Sequence, residues 1–198
     1  MVAQEPERLQ RADVPPDVAQ RLRKIPWCAE ILDDPSLISI YTYSRERKES
    51  TEDSLIAETF KSKDTIHTWE TFYRYHKPSS DKNGPIGETI TILGFGSGLN
   101  GHPKLLHGGT VAAVMDEVIT YLGGRHNSPG MSGYTAFLKV DYKKPIPTPC
   151  TVLLRVIMEG RSAGRKQWLR GTLEDGNGVI LATGESLVVE VPKNATKL

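Results

Sequence analysis

Eighteen residues, His107 to Gly124, read HGGTVAAVMDEVITYLGG, and they limit what the rest of the chain can be. After the His-Gly-Gly opening, apolar side chains from Val111 to Leu122 fall almost all round a helix. A helix that is apolar on every face belongs in a core. The pattern therefore predicts a short central helix, opened by Gly108 and Gly109. Gly123 and Gly124 are expected to close it through the left-handed position that ends helices. Two carboxylates, Asp116 and Glu117, stand in its middle, where an unpaired charge would cost several kcal/mol. Asp116 is the candidate base. Glu117 is expected to face solvent or a partner lysine. At the other end, the glycines leave the first-turn N–H groups open at the positive end of the dipole, where they can bind an oxyanion.

Strand patterns flank this helix. Trp69, Thr71, Tyr73 and Tyr75 alternate within Thr65 to Tyr75, and Glu88 to Phe95 reads as a second strand. A glycine-rich link, residues 96–103, leads into the helix. Beyond it comes a loop from Arg125 to Gly133. A strand then follows with Tyr134, Ala136, Leu138, Val140 and Tyr142 on one face, stopped by Pro145, Pro147 and Pro149. Val152, Leu154, Val156 and Met158 continue the pattern up to a turn through Gly160 to Gly164. Gln167, Leu169, Gly171 and Leu173 then oppose Trp168. Asp175-Gly176-Asn177-Gly178 is a hairpin signal, and the last strand runs from Val179 to Val191 and stops at Pro192. Two strands, one helix and four strands give an α+β fold in which an antiparallel sheet must wrap the helix. This domain spans 64–192, with a tail at 193–198. Ahead of it lies a proline-punctuated extension, 1–63, with a helix expected over Asp17 to Lys24 and a capped helix start at Thr51 to Glu58.

A His-Gly-Gly opening such a helix, with Asp116 nine residues after His107, resembles the hotdog-fold acyl-CoA thioesterases of the PaaI type. The segment TAFLKVDYKKPIP, residues 135–147, is similar to the strand after the helix in that family's thioesterase superfamily branch. The resemblance covers roughly residues 64–191. It implies a hotdog fold, hydrolysis of an acyl-CoA thioester without metal or organic cofactor, and a homodimer or dimer of dimers with its active site at the subunit interface. The Gly108 N–H would hold the oxyanion, with Gly109 beside it and help from Asn100 or His107. Asp116 would activate water, and Thr135 sits where the family places a Ser or Thr that orients the water or leaving group. Asn100 lies at closely similar spacing to the family's upstream amide. Helix geometry points to an interface too. Nine residues at about 1.5 Å and 100° each set Asp116 about 13 Å from His107 and on the opposite side, so two copies assemble the pair more readily than one.

Other readings remain beside this one. Gly96, Gly98 and Gly101 form a lone G-x-G-x-x-G, but Pro103 interrupts it and Asp116 sits within the helix rather than ending a second strand. No G-x-S-x-G elbow accompanies the His-Gly-Gly, which argues against an α/β-hydrolase. A hotdog protein that binds an acyl ligand, or acts as a pathway partner without hydrolysis, is the alternative function. Arg161, Arg165 and Lys166 cluster in a hairpin that could meet CoA phosphates or simply face solvent. Charges nearly balance, 25 basic against 24 acidic, so nucleic-acid binding has no compositional support. Cys28 and Cys150 lack the spacing of a disulfide framework or zinc site, which suits a reduced compartment. No run is long and apolar enough for a membrane span. Glu5, Glu7 and Asp13 argue against a transit peptide, so a cytoplasmic chain is expected rather than a mitochondrial one. The terminal Thr196-Lys197-Leu198 is one residue type from a peroxisomal address.

Overall fold

The central helix runs Gly108–Arg125 (α3) and lies across one face of an antiparallel sheet. The structure is a computed structural model that describes residues 11–75, 87–162 and 164–193. Among the described residues, seven strands form the sheet: β1 (Ile38–Ile40), β2 (Ile66–Tyr75), β3 (Gly87–Phe95), β6 (Met131–Tyr142), β7 (Cys150–Ser162), β8 (Lys166–Glu174) and β9 (Ile180–Pro192). Their order is β1-β2-β3-β7-β8-β9-β6. Two short strands, β4 (Asn100–His102) and β5 (Leu105–Leu106), make a separate hairpin just ahead of the helix. The expected α+β layout, a sheet packed around a central helix, is present, and β1 and the β4–β5 hairpin add to it. The helix buries Val111, Val114, Met115, Val118, Ile119 and Leu122 against the sheet, each contributing roughly 1.5–3 kcal/mol. Close approach is possible because β9 carries Gly184 beneath it. A Cβ there would meet Met115 Sδ at 3.0 Å.

Two expectations for the helix are corrected. It is not buried all round: Ala112, Ala113, Asp116, Glu117, Thr120 and Tyr121 are only half-buried, with Asp116 reaching the β6 edge of the sheet and Tyr121 the extension. Nor do Gly123 and Gly124 end it, since the helix continues to Arg125. Gly123 instead serves packing, because a Cβ there would lie 2.9 Å from Gln167 Oε1 on β8.

The extension wraps the opposite edge of the sheet. Helices α1 (Pro16–Leu22) and α2 (Pro26–Asp33), each opened by a proline in the first turn, lay Leu22 and Cys28 on Phe72, Ile90, Ile92 and Leu153 of the outer sheet face. Strand β3 is therefore covered on both faces and buried at every residue. Its one carboxylate, Glu88, accepts hydrogen bonds from Arg74 at 3.3 Å and from Arg155. The chain then adds β1 to the sheet edge, hydrogen-bonded across the 63/64 boundary to β2, and returns over the helix side. Arg45 pins that return by donating to the carbonyls of Ile56 (2.9 Å), Phe60 (3.2 Å) and Ile66 (2.9 Å), with its guanidinium over the Trp69 ring. The capped α-helix expected from Thr51 does not form. Thr51 and Asp53 adopt φ of 63°, Asp53 engages Lys48 instead of capping, and a single π-helical turn follows at Leu55–Thr59.

Two strand details also differ. The β7–β8 strands extend past Gly160, to Ser162 and from Lys166, so the turn is shorter than expected. In β6 the register shifts between Thr135 and Phe137, leaving a bulge at Ala136. Tyr134 and Ala136 consequently do not share a face with Leu138 and Val140, the pair that packs on the core.

Glu70 on β2 provides a test of how the extension is held. Burial raises its carboxyl from near 4.5 to about 7, and Arg45 only partly offsets this. The folded state thus keeps the proton up to about pH 7, whereas the unfolded chain releases it near 4.5. Stability contributed by this group is present below pH 4.5 and is lost as pH rises through 7. Glu70→Gln is expected to melt above wild type at pH 8, with the advantage shrinking towards pH 4.5. A difference that stays flat across thermal melts at those pH values would contradict this.

Candidate active site

The helix entrance is built from three adjoining pieces: the β4–β5 hairpin, the first turn of α3 and the segment that leaves β6. His107 caps the helix, its Nδ1 accepting from the Gly109 N–H at 2.9 Å. The ring's proton in its neutral form is then on Nε2. His107 C=O accepts from Thr110 (3.0 Å) and Val111 (3.3 Å), and His107 N–H donates to Leu99 C=O (2.9 Å). Among the described residues, the Gly108 N–H is thus the first-turn donor left without an acceptor, at the positive end of the helix. Asn100 lies on β4 opposite Leu106, with the ladder irregular between Asn100 and His102. Its Oδ1 accepts from Thr148 Oγ1. Tyr142, at the end of β6, donates its O–H to Gly108 C=O at 2.9 Å.

Asp116 sits eight residues further along a continuous helix, about 12 Å in axial distance from Gly108. Its Oδ1 accepts from Thr135 Oγ1 at 2.8 Å. The bulge at Ala136 is what aims Thr135 at the helix, while Leu138 and Val140 beyond it turn into the core. A carboxylate fixed at one oxygen keeps the other free to bind water. Strand β6 is the last of the sheet and pairs only with β9 among the described residues, so Asp116 and Thr135 lie beside an open sheet edge. Tyr134, Phe137 and Tyr142 stand exposed along it.

Glu117 behaves differently from its expected solvent-facing role. It turns about 100° away from Asp116, towards the extension, and burial raises its carboxyl, with Ser44 beside it and Asp53 and Lys48 near. One turn on, Tyr121 donates to Tyr41 C=O and accepts from Arg125 Nη2 at 2.5 Å. This side of the helix is a structural contact with the extension.

The sequence-derived site residues therefore fall into groups. Asn100, His107, Gly108 and Gly109 come together at the helix entrance, and Asp116 meets Thr135 further along. Arg165 and Lys166 do neither: they lie near Gln167, which packs at Gly123, about 22 Å along the helix from Gly108. Arg161 has its backbone in β7, but its side chain lies outside the described residues, as do Thr196-Lys197-Leu198. Thr148 and Tyr142 were not marked by the sequence, because their partners lie 48 and 34 residues upstream. A cavity of about 900 Å³ opens elsewhere, against the extension at Arg45, His67, Trp69 and Glu70, and includes neither Gly108 nor Asp116.

Some chemistries find no support in these groups. Burial pushes Cys28 up to about 12 and Cys150 to about 11, so neither is a thiolate nucleophile near neutral pH. Among the described residues no three His, Cys, Asp or Glu side chains converge on a metal site, and no helix is long and apolar enough to cross a membrane.

Residues 104–163, which hold the helix and the strand carrying Thr135, match the family model of the thioesterase superfamily. Among solved structures the chain is similar to a thioesterase of Haemophilus influenzae, at 10% identity and a TM-score of 0.51, over 64% of this chain and 82% of that one. It is also similar to a Lactococcus lactis protein thought to be a thioesterase, at 12% identity and a TM-score of 0.51, over 54% and 84%. The PaaI protein of the phenylacetic acid degradation operon of E. coli aligns at 12% identity over 52% of this chain and 72% of that one, with a TM-score of 0.47. Sequence comparison with curated proteins gives no match. At these identities the structural likeness is one of fold.

Proposed function

We propose that this chain, whose residues 104–163 match the thioesterase superfamily model and whose fold is that of hotdog thioesterases, hydrolyses the thioester of an acyl-CoA to a free acid and CoA. The observation that carries the reading is the Asp116 carboxylate, held by Thr135 through a strand bulge at an otherwise open sheet edge. Binding an apolar acyl chain would not require it. In the reaction, Asp116 accepts a proton from water as the water oxygen attacks the thioester carbon. The carbonyl oxygen takes up the electron pair and is stabilised by the Gly108 N–H and the Asn100 carboxamide. One such donor is worth about 3–4 kcal/mol. Collapse of the tetrahedral intermediate re-forms the carbonyl and breaks the C–S bond, and the proton held by Asp116 passes to the departing CoA sulfur.

Two copies build each site in this reading. The helix entrance of one faces Asp116 and Thr135 of the other across the β6 edge, giving two equivalent sites related by a two-fold axis. The axial separation of about 12 Å between Gly108 and Asp116 within one helix supports this, as does the exposed aromatic edge of β6.

The direct test is purified protein against acyl-CoA substrates of varied chain length and aromaticity, with thiol release followed continuously. Release above the spontaneous rate for at least one class is expected. Folded protein that releases thiol from none of them would indicate a binding protein instead.

A further inference from the structure

We infer that Thr148 is a positioning residue of the oxyanion pocket: its hydroxyl holds the Asn100 carboxamide so that the Nδ2 donors join the Gly108 N–H on the same carbonyl oxygen. The inference rests on the hydrolytic reading above and extends it to a residue outside the helix and its flanking strands. Asn100 is exposed, and a free carboxamide at the surface would rotate and present oxygen or nitrogen alike. Thr148 holds the carboxamide in one orientation. Its Oγ1 donates to Asn100 Oδ1, which leaves only N–H donors to face a ligand.

The anchor itself is immobilised. Thr148 is 8% exposed and donates its own N–H to Lys104 C=O at 3.0 Å. Leu106 N–H donates to Ile146 C=O at 2.9 Å, and Pro147 bridges to Leu105, so residues 146–148 run against the β4–β5 hairpin that carries Asn100. The same segment begins at Tyr142, whose O–H holds Gly108 C=O at 2.9 Å and whose ring lies against Gly108. One stretch after β6 thus grips both sources of oxyanion donors. Preorganised donors of this kind act without reorienting during the reaction, which is why a residue that never touches substrate can affect turnover.

The test is a double-mutant cycle on acyl-CoA hydrolysis, with kcat and KM measured for wild type, Thr148→Val, Thr148→Ser, Asn100→Ala and the Thr148→Val/Asn100→Ala pair. Thr148→Val, nearly the same shape without the hydroxyl, is expected to lower kcat about 10- to 100-fold with KM little changed, and Thr148→Ser to restore most of it. In the Asn100→Ala background the valine substitution should cost nothing further. Melting curves check that each variant is folded, and Thr148→Ala takes the place of the valine if that variant is not. A Thr148→Val enzyme as fast as wild type, beside a slow Asn100→Ala, would overturn the inference and leave the hydrolytic reading intact. So would a loss that adds fully to that of Asn100→Ala, because Thr148 would then act elsewhere. An Asn100→Ala enzyme as fast as wild type would remove Asn100, and Thr148 with it, from the pocket. Wild-type protein inactive on every substrate would end both readings.

Discussion

Asp116→Asn is expected to lower turnover of acyl-CoA by about 10²–10⁴ while leaving substrate binding nearly unchanged. The carboxamide keeps the shape of the side chain and can still accept from Thr135 Oγ1, the contact that places Asp116 at 2.8 Å. It cannot take a proton from water. The loss should therefore appear in kcat rather than KM, and the melting temperature should move little because the side chain is only half-buried. Steady-state kinetics beside a thermal melt reads both. A variant that turns over like wild type would make Asp116 a structural carboxylate and leave the hydrolytic reading without its base.

The part of this site that obeys local rules was legible in the sequence. His-Gly-Gly before an apolar run marks a helix start, and the first-turn donors follow from helix geometry alone. An acid in the middle of that run stood out for its desolvation cost. What escaped depends on contacts far apart in the chain. The bulge at Ala136 has no signature, because Tyr134, Ala136, Phe137, Leu138 and Val140 offer apolar residues to either face and alternation alone cannot fix the phase. Gly123 and Gly124 resembled a stop signal, yet Gly123 is there to let α3 approach Gln167, 44 residues on. Glu117 shared every local feature of Asp116. Only the return of residues 41–53 over the helix separates the two acids, one packed under the extension and the other held at the sheet edge. For the extension itself the prolines correctly suggested short helices. Its β1 strand and the Arg45 anchor depend on β2 and on carbonyls 11 to 21 residues away, which no local pattern encodes.

Catalysis in this arrangement requires Gly108 and Asp116 of different copies to serve one carbonyl. Asp116→Ala removes the base from a chain whose helix entrance is intact. Gly108→Val crowds the oxyanion donor in a chain whose Asp116 is intact, since a Cβ at Gly108 already meets the Tyr142 ring at 3.4 Å and the valine methyls extend beyond it. Each variant alone is expected to be inactive. Unfolded together in equal amounts and refolded, half the dimers should be mixed, and each mixed dimer carries one intact site of two. Thiol release from an acyl-CoA should then recover to roughly a quarter of the wild-type rate. Recovery at background, with both variants folded and mixed dimers verified by mass, would contradict the account and place the site within a single chain.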